Sequence, residues 1–353
     1  MPATTYYVRT TGNDTTGEGT ALLPWLTIAK ALAVPPASGD TINIGAGTFD
    51  EVYGRVVLPN GVNAVGAGAA SIVLSEGDNP LVTLKPDSGS DVSLLTVNDT
   101  AEGTGNVVGA ASNQAAFTAA VIHDCSFGGN GNVFAAVIAG ACSGTFTDCV
   151  FAGRFDCAVV STGAHEFTFT TCTMNARGVS ADDDTTRCVV GLSATAAVTI
   201  DACSLSALGP ADVIAAIDWR LGTLTVTNAN SVVGGTFISG GTVNGTGTLA
   251  TDTLTVTGGA LTAAWRATGV VSFAGGTTLA LADKYVMVGT IDGAGATATA
   301  TVARLQGGTV QNVTMTSGKL HCFGSVNGGG NDANVDFDQH APPGSMSMMG
   351  VGI

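Results

Sequence analysis

The chain has little positive charge. Its 353 residues include 12 lysines and arginines against 27 aspartates and glutamates, which gives a formal net charge of −15. Binding to nucleic-acid phosphates requires basic side chains that displace counterions, and anionic membrane surfaces attract the same side chains. The composition therefore argues against both partners. It predicts a solvated acidic exterior or, as the alternative, an exterior that binds cations or a basic partner.

Long apolar runs, aromatic side chains and metal-binding cysteine pairs are also scarce. No apolar run approaches the ~18 residues that span a bilayer, although 45% of the residues are apolar. That content must be buried within a folded chain, which excludes a disordered one. The segment Met1–Tyr7 has neither the charged nor the apolar region of a secretory signal. The absence of any CxxC pair removes the usual zinc spacing.

A repeated motif is the most informative feature that is present. It consists of an apolar residue, two polar or small residues, a cysteine, a spacer and a second apolar residue. The residue numbers of its cysteines differ by 149−125 = 24, 172−149 = 23 and 203−172 = 31. A unit of this size that keeps one residue type in a fixed place predicts a solenoid. The four copies are Ile122–Phe127, Phe146–Phe151, Phe169–Met174 and Ile200–Leu205.

The motif also predicts an internal ladder of small apolar side chains. Val92, Leu95 and Val97 match its two apolar places and its cysteine place, and Val65 is assigned to the cysteine column as well. Stacked cysteines project in parallel, so we expect the eight cysteines to remain structural free thiols rather than to form disulfides.

The chain divides into three predicted regions: an N-terminal cap over residues 1–50, a parallel β-helix over 51–330 and a C-terminal tail or arm over 331–353. From about residue 222 onward, threonine alternates with valine or leucine between Gly-Gly pairs, which predicts the same solenoid with tighter turns. The Met-rich tail, Ser345–Gly350, is either disordered or an arm that docks on a neighbouring chain.

The opening carries a resemblance to a known family. Tyr7-Val8 with Gly12-Asn13-Asp14, then Pro24-Trp25-Leu26-Thr27-Ile28 with Ala31, then Gly39-Asp40-Thr41-Ile42 with Gly47 follow one another in that order. This succession resembles the start of pectin-lyase-like right-handed parallel β-helix proteins, with Phe49 where their pattern has tyrosine. The resemblance implies an all-β fold, a single-stranded right-handed parallel β-helix (solenoid) with an N-terminal capping helix. It implies little about activity, because one fold hosts many functions.

The acidic run Asp182–Asp184 is the first candidate for chemistry. With Arg177 and Arg187 nearby, it matches in part the acids that bind Ca²⁺ and the basic arginine of pectate-lyase-like enzymes. Of the motifs that polygalacturonase-like enzymes carry, this chain has only this acidic run. A solvated loop that bulges from the solenoid accounts for the same residues.

Asp124 and Asp148 are the second candidate. Both directly precede a motif cysteine, so they are expected to stack ~5 Å apart on the outer face, near the separation of a retaining glycosidase pair. Few aromatic side chains are available as a sugar platform, and Trp219-Arg220 and Trp265-Arg266 are the only aromatic–basic pairs.

The histidines offer no further candidate. The four of them do not converge by sequence, and His321 and Cys322 point to opposite faces of a strand. We therefore assign no catalytic residue, no metal ligand and no cofactor. The histidines are His123, His165, His321 and His340.

These observations favour a structural protein of a bacteriophage particle, a β-helical spike or a capsid decoration protein, because similar short β-helices serve as phage spikes and decorations. The resemblance to phage β-helices also implies a homotrimer. Contacts with other virion proteins are expected through residues 340–353, and the host's surface polysaccharide is a further possible partner. The alternatives are a tailspike-type polysaccharide depolymerase or glycan-binding protein, and an extracellular polysaccharide lyase. The expected location is the outer surface of the head or tail.

Overall fold

The computed structural model describes residues 2–34, 36–51, 56–75, 82–99, 106–110, 115–129, 132–136, 140–178, 185–209 and 213–267, and beyond these the backbone of nine strands. One α-helix, α1 (Ile28–Ala33), and one 3-10 helix (Gly68–Ala70) accompany the strands. The strands are β1 (Thr5–Val8), β2 (Thr41–Ile44), β3 (Gly47–Asp50), β4 (Val56–Val57), β5 (Asn63–Val65), β6 (Ser71–Ser75), β7 (Val82–Lys85), β8 (Asp91–Ser93), β9 (Thr96–Asp99), β10 (Asn106–Ala110), β11 (Ala120–His123), β12 (Ser126–Gly129), β13 (Asn132–Ala136), β14 (Ser143–Thr147), β15 (Val150–Gly153), β16 (Asp156–Val160), β17 (Glu166–Thr170), β18 (Thr173–Arg177), β19 (Thr185–Gly191), β20 (Ala197–Asp201), β21 (Ser204–Leu208), β22 (Val213–Trp219), β23 (Thr223–Thr227), β24 (Ala229–Val233), β25 (Thr236–Ile238), β26 (Thr242–Asn244), β27 (Thr248–Thr251), β28 (Leu254–Val256), β29 (Ala260–Leu261), β30 (Ala264–Ala267), β31 (Val271–Phe273), β32 (Thr278–Ala280), β33 (Tyr285–Val286), β34 (Thr290–Asp292), β35 (Thr297–Gln306), β36 (Thr309–Gln311), β37 (Thr314–Phe323), β38 (Val326–Gly329) and β39 (Val335–Asp338).

The strands of the described chain pair in parallel, each with its counterpart one turn away. β1 and β2 pair with each other in the first sheet. From β2 to β34 the chain cycles through three sheets, so that β8, β9 and β10 belong to the first, second and third sheets and β11 returns to the first. In β35 and β37 the strands of the first and second sheets become continuous. The fold is therefore the predicted all-β parallel β-helix.

The corner between the first and second sheets is the most regular part of each turn. One residue there has a positive φ, and the next residue points into the core. Asp124, Asp148, Thr171 and Ala202 occupy the positive-φ place with φ between 51° and 54°. Residues other than glycine, asparagine and aspartate rarely adopt this conformation, so it marks a constraint that is repeated in these successive turns.

The buried residue after this corner forms the predicted ladder. Its members are joined from turn to turn by backbone hydrogen bonds, for example from Val150 N to Cys125 O at 2.9 Å and from Thr173 N to Cys149 O at 2.9 Å. The strand register places the following residues one above another: Ser71, Leu95, Cys125, Cys149, Cys172, Cys203, Asn230, Leu249 and Trp265.

The register confirms the assignment of Leu95 to this column and corrects that of Val65. Val65 pairs with Ser93, two positions before Leu95, so it lies in an outward column. Ser71 takes the ladder place instead, because the short 3-10 helix lengthens this corner. The Ser71 hydroxyl is satisfied there, donating to Gly45 O at 2.8 Å.

Asn230 introduces a polar group into the column. Its side chain is buried, yet its Oδ1 accepts from Cys203 N at 2.8 Å and its Nδ2 donates to Thr227 O at 2.9 Å. The corner from Thr227 to Ser231 contains one residue more than the equivalent corner from Asp201 to Ser204. At this longer corner the side-chain amide of Asn230 makes hydrogen bonds in place of the backbone.

The seven cysteines within the described residues are free and buried, as predicted. Burial raises the pKa of the Cys125 thiol to about 12. Hydrogen bonds with Cys149 and Cys203, together with burial, hold the pKa of Cys172 well above its ordinary value. Cys125 and Cys172 therefore act as small hydrophobic groups rather than as nucleophiles.

The N-terminal helix is present but begins later than Pro24. Thr27 is the N-cap, and its hydroxyl accepts from Lys30 N. Asp14 accepts from Leu26 N at 2.7 Å, and the buried carboxylate of Glu51 accepts from Ile28 N at 2.9 Å. The polar turn of the opening motif thus fixes the start of the helix.

The later turns are tighter, as predicted. Thr223 pairs with Thr242 and Thr242 with Ala260, so the step in residue number falls to 242−223 = 19 and then 260−242 = 18. Gly234, Gly241 and Gly259 have positive φ at the corners. A further strand, β39, pairs with β37 within the segment expected to form the tail. Residues 339–353, which include the Met-rich segment, lie outside the described residues.

We predict opposite effects for two alanine-to-glycine substitutions in the same turn. Ala202→Gly relieves a left-handed conformation and should raise the free energy of unfolding by about 0.5–1 kcal/mol. Ala197→Gly, in the extended strand β20, should lower it by about 0.5–1 kcal/mol. Urea unfolding followed by circular dichroism measures both. Equal destabilisation by the two variants would contradict the constrained corner.

We also predict that the native thiols do not react with Ellman's reagent at pH 8. At most one of the eight cysteines, Cys322, whose side chain lies outside the described residues, should react before unfolding. All eight should react in denaturant. Rapid reaction of two or more thiols in the native protein would show that the ladder is not buried.

Candidate functional site

The densest group of charged side chains in the described part of the chain lies on the third sheet. Asp156 in β16, Arg187 in β19 and Asp218 in β22 come from three successive turns, and Arg220 follows directly after β22. The residue numbers of Asp156, Arg187 and Asp218 are evenly spaced, with 187−156 = 31 and 218−187 = 31. We call these four residues the arginine–aspartate cluster.

The cluster lies on the outer side of the sheet. Ile217 and Trp219, which flank Asp218, are both 0% exposed in the core. Because successive side chains of a strand point to opposite faces, Asp218 projects outward. Its side chain is nevertheless only 1% exposed, since Arg187 and Arg220 cover it.

The hydrogen bonds of the cluster are numerous and short. Arg187 binds Asp156 in a bidentate manner, through Nε at 2.9 Å and Nη2 at 2.7 Å, and its Nη1 donates to Asp218 Oδ2 at 2.8 Å. Arg220 donates to Asp218 through Nε at 3.0 Å and Nη2 at 2.8 Å. Such paired geometry ties three neighbouring turns together.

The electrostatics favour the charged forms of Asp218 and Arg187. Burial raises the pKa of Asp218, but hydrogen bonds from Arg220 and Arg187 outweigh it and hold that pKa below the ordinary value. Burial lowers the pKa of Arg187, but its bonds to Asp156 and Asp218 hold it above the ordinary value. Arg187 therefore remains protonated and cannot act as a proton-abstracting base.

This finding bears on the lyase-like interpretation of Arg177, Arg187 and Asp182–Asp184. The acidic run lies outside the described residues. Arg177 is exposed at the end of β18, where it lines an open groove of about 930 Å³ with Asn175, Ser206 and Leu208. Arg187 is directed to Asp156 and Asp218. The structure therefore does not bring the two arginines into one site.

Asp124 and Asp148 do occupy equivalent corner places on neighbouring turns, where Asp124 N donates to Thr147 O and Asp148 N to Thr170 O. Their carboxylates have different partners. Asp124 Oδ2 lies 2.8 Å from His123 Nδ1, whereas Asp148 Oδ1 accepts from the Thr171 hydroxyl at 2.5 Å. Their positive φ gives both aspartates a structural role, since aspartate tolerates this conformation.

The described histidines are separate from each other. His123 is partly exposed and lies between Asp124 and Asp91. Its Nε2 is 3.3 Å from Asp91 Oδ1, and the hydrogen bond with Asp124 raises the pKa of His123. His165 is buried, with Nδ1 accepting from Cys142 N at 3.1 Å and Nε2 donating to Ser161 O at 3.0 Å. His321 belongs to β37, opposite Asp336, and the side chains there lie outside the described residues, as does His340.

The tryptophans and most of the described phenylalanines face inward, whereas Tyr7 and Phe155 are half-buried. All three tryptophans, Trp25, Trp219 and Trp265, are buried, with 4% exposure or less. Phe146 stacks on Phe169 at a centroid distance of 5.0 Å inside the solenoid. Neither predicted aromatic–basic pair therefore offers an indole face to a sugar ring. Arg220 binds Asp218, and the side chain of Arg266 lies outside the described residues.

Metal-binding groups and membrane-spanning helices are absent from the described part of the chain. Within it, no three histidine, cysteine, aspartate or glutamate side chains are grouped so that they could hold a metal ion. Within the same residues, no helix is both long and apolar enough to cross a bilayer.

We predict that Asp218→Asn destabilises the protein by about 3 kcal/mol at pH 7, because it leaves two arginines without their shared carboxylate. Arg220→Ala, at a side chain that is 47% exposed, should cost at most about 1 kcal/mol. Urea unfolding midpoints measure both effects.

The pH dependence follows from the lowered pKa of Asp218. The Asp218 carboxylate stabilises the fold at pH values above 3.8, which is the pKa of this group in the unfolded chain. This contribution is lost as the pH falls through the lower pKa that the group has in the folded protein. The difference between wild type and Asp218→Asn should therefore shrink on acidification below about pH 4. A difference that is constant with pH would contradict the assignment.

Neither a protein-family model nor a curated protein matches this chain. The conclusion that the geometry supports is a parallel β-helix whose outer charged cluster is internally paired.

Proposed function

We propose that this chain is a structural protein of a bacteriophage particle, a β-helical spike or capsid decoration protein that assembles as a homotrimer on the outer surface of the head or tail. The proposal includes the kinship with pectin-lyase-like β-helices that the opening residues suggest. It also includes attachment to other virion proteins through residues 340–353, which lie outside the described residues.

One observation carries the proposal: the arginine–aspartate cluster, the tryptophans and the candidate glycosidase pair are all engaged by the solenoid itself. Arg187 and Asp218 bind each other and their neighbours, and the tryptophans fill the core. Asp124 and Asp148, the candidate glycosidase pair, serve the corner. What remains is a stiff stack of turns, which suits a protein that acts through its shape and its surface.

The test measures both attachment and turnover. Antibodies against the purified chain should label the outer surface of intact phage particles, and deletion of residues 340–353 should abolish incorporation of the chain into those particles. Incubation with host surface polysaccharide should give no new reducing ends and no unsaturated products.

A different outcome would favour the depolymerase. Polysaccharide cleavage that is abolished by Asp124→Ala or Asp148→Ala, but not by Thr145→Ala on the same surface, would overturn the structural proposal. Absence of the chain from purified particles would overturn its location.

A further inference from the structure

His165 is a buried titratable residue that belongs neither to the arginine–aspartate cluster nor to the cysteine ladder. It lies in the corner between β16 of the third sheet and β17 of the first sheet, and it is 1% exposed. Its ring nitrogens each contact the backbone, Nδ1 accepting from Cys142 N at 3.1 Å and Nε2 donating to Ser161 O at 3.0 Å. Cys142 lies directly below His165, because Ser143 pairs with Glu166. The ring therefore joins two turns of the solenoid.

These two contacts fix the protonation state of the ring. A backbone N–H can only donate, so the Nδ1 that accepts from Cys142 carries no proton. A carbonyl oxygen can only accept, so the proton of the ring is on Nε2. A second proton would set two donors, Nδ1–H and Cys142 N–H, against each other, and it would bury a positive charge. The closed corner therefore accommodates only the neutral imidazole.

The described charged and titratable groups around the corner do not compensate for such a charge. Glu166 follows the ring in the chain, but it is exposed and points to the opposite face of the strand. Burial raises the pKa of the Cys142 thiol, and the nearby ammonium of Lys85 opposes that rise and disfavours a second positive charge. Asp156 and Asp201 lie at the far ends of β16 and β20, at least ~13 Å away along the strands. Lys85 itself pairs with Asp87.

The same corner has a strained backbone. Thr162 has a φ of 60°, a conformation in which a β-branched residue is rarely found. Such a backbone persists only where the surrounding contacts hold it. Here they include the bond from Ser161 N to Ala136 O at 3.0 Å and the bond from the His165 ring to Ser161 O. Loss of the ring contacts therefore releases a strained segment.

We infer that His165 is an acid-sensitive latch: its neutral ring holds the corner of residues 161–166 against Cys142, and the corner opens when the ring takes up a proton. In the open corner the ring is solvated and titrates near the ordinary histidine pKa of about 6.5. The closed corner is therefore favoured above that pH and loses stability relative to the open corner below it. From pH 7.5 to pH 5 the equilibrium constant for opening should rise about thirtyfold.

The Cys142 thiol reports the opening, because it is 1% exposed and lies directly beneath the ring. Its reaction with dithiodipyridine, a reagent that modifies thiols in acid as well as at neutral pH, is followed by mass spectrometry of the labelled peptides. Each rate is divided by that of the same thiol in denaturant at the same pH. This ratio should rise about thirtyfold from pH 7.5 to pH 5 at Cys142. It should stay constant at Cys172, a buried thiol at a different corner.

Two histidine variants separate the latch from other titrations. His165→Asn retains an acceptor for Cys142 N through its Oδ1, but it takes up no proton in this pH range. The ratio at Cys142 should then be independent of pH, whatever its absolute value. The matched control, His123→Asn, removes a partly exposed histidine of the first sheet and should leave the thirtyfold rise unchanged.

Nitrogen NMR of the wild type provides a measurement that needs no variant, and it should show the Nε2–H form of His165 at pH 7.5. A ring that takes up a proton while Cys142 stays protected would overturn the latch. A Cys142 ratio that does not change with pH, or a rise that persists in His165→Asn, would overturn it as well. Equal rises at Cys142 and Cys172 would assign the effect to global unfolding and reject a local opening.

Discussion

The short corner between the first and second sheets is the constraint on which the rest of the structure depends. In the turns with Leu94, Asp124, Asp148, Thr171 and Ala202, one residue takes a positive φ and the next enters the core. In the last four of these turns the following N–H donates to the turn before it, and the same N–H bond recurs after the longer corner of the next turn. These bonds, from Ser126, Val150, Thr173, Ser204 and Ser231, measure 2.8–3.0 Å. The corner sets the register of both sheets, because a slip of one residue would turn every core side chain outward.

The corner also explains features that look like chemistry in the sequence. Cysteine suits the buried place because it is small and apolar, and burial raises the pKa of Cys125 so that its thiol stays protonated. Aspartate suits the preceding place because it tolerates a left-handed conformation. The arginine–aspartate cluster has a corresponding role on the third sheet, where side-chain hydrogen bonds join three successive turns in addition to the backbone pairing of their strands.

Much of the architecture is predictable from the sequence, and most of the site is not. The cysteine motif marks the corner directly, and Val92, Leu95 and Val97 follow from it. The assignment of Val65 is wrong because spacing alone does not reveal the 3-10 helix that moves Ser71 into the ladder. The position of Asn230 in the ladder cannot be predicted from the cysteine motif, because one inserted residue changes the spacing of the motif in that turn. Asp156 and Asp218 share a signal with Arg187, the even spacing of their residue numbers, but a spacing gives no indication that the guanidinium reaches two strands.

Native-state hydrogen exchange at the corner tests the central claim most directly. If the corner holds the turns in register, the amide protons of Val150, Thr173 and Ser204 should exchange only when the protein unfolds globally. Their free energies of exchange should therefore equal that of global unfolding. The amides of Thr15 and Thr16, bonded only to the exposed Asn13 side chain, provide the fast-exchanging reference. Exchange of the corner amides as fast as this reference would contradict the account.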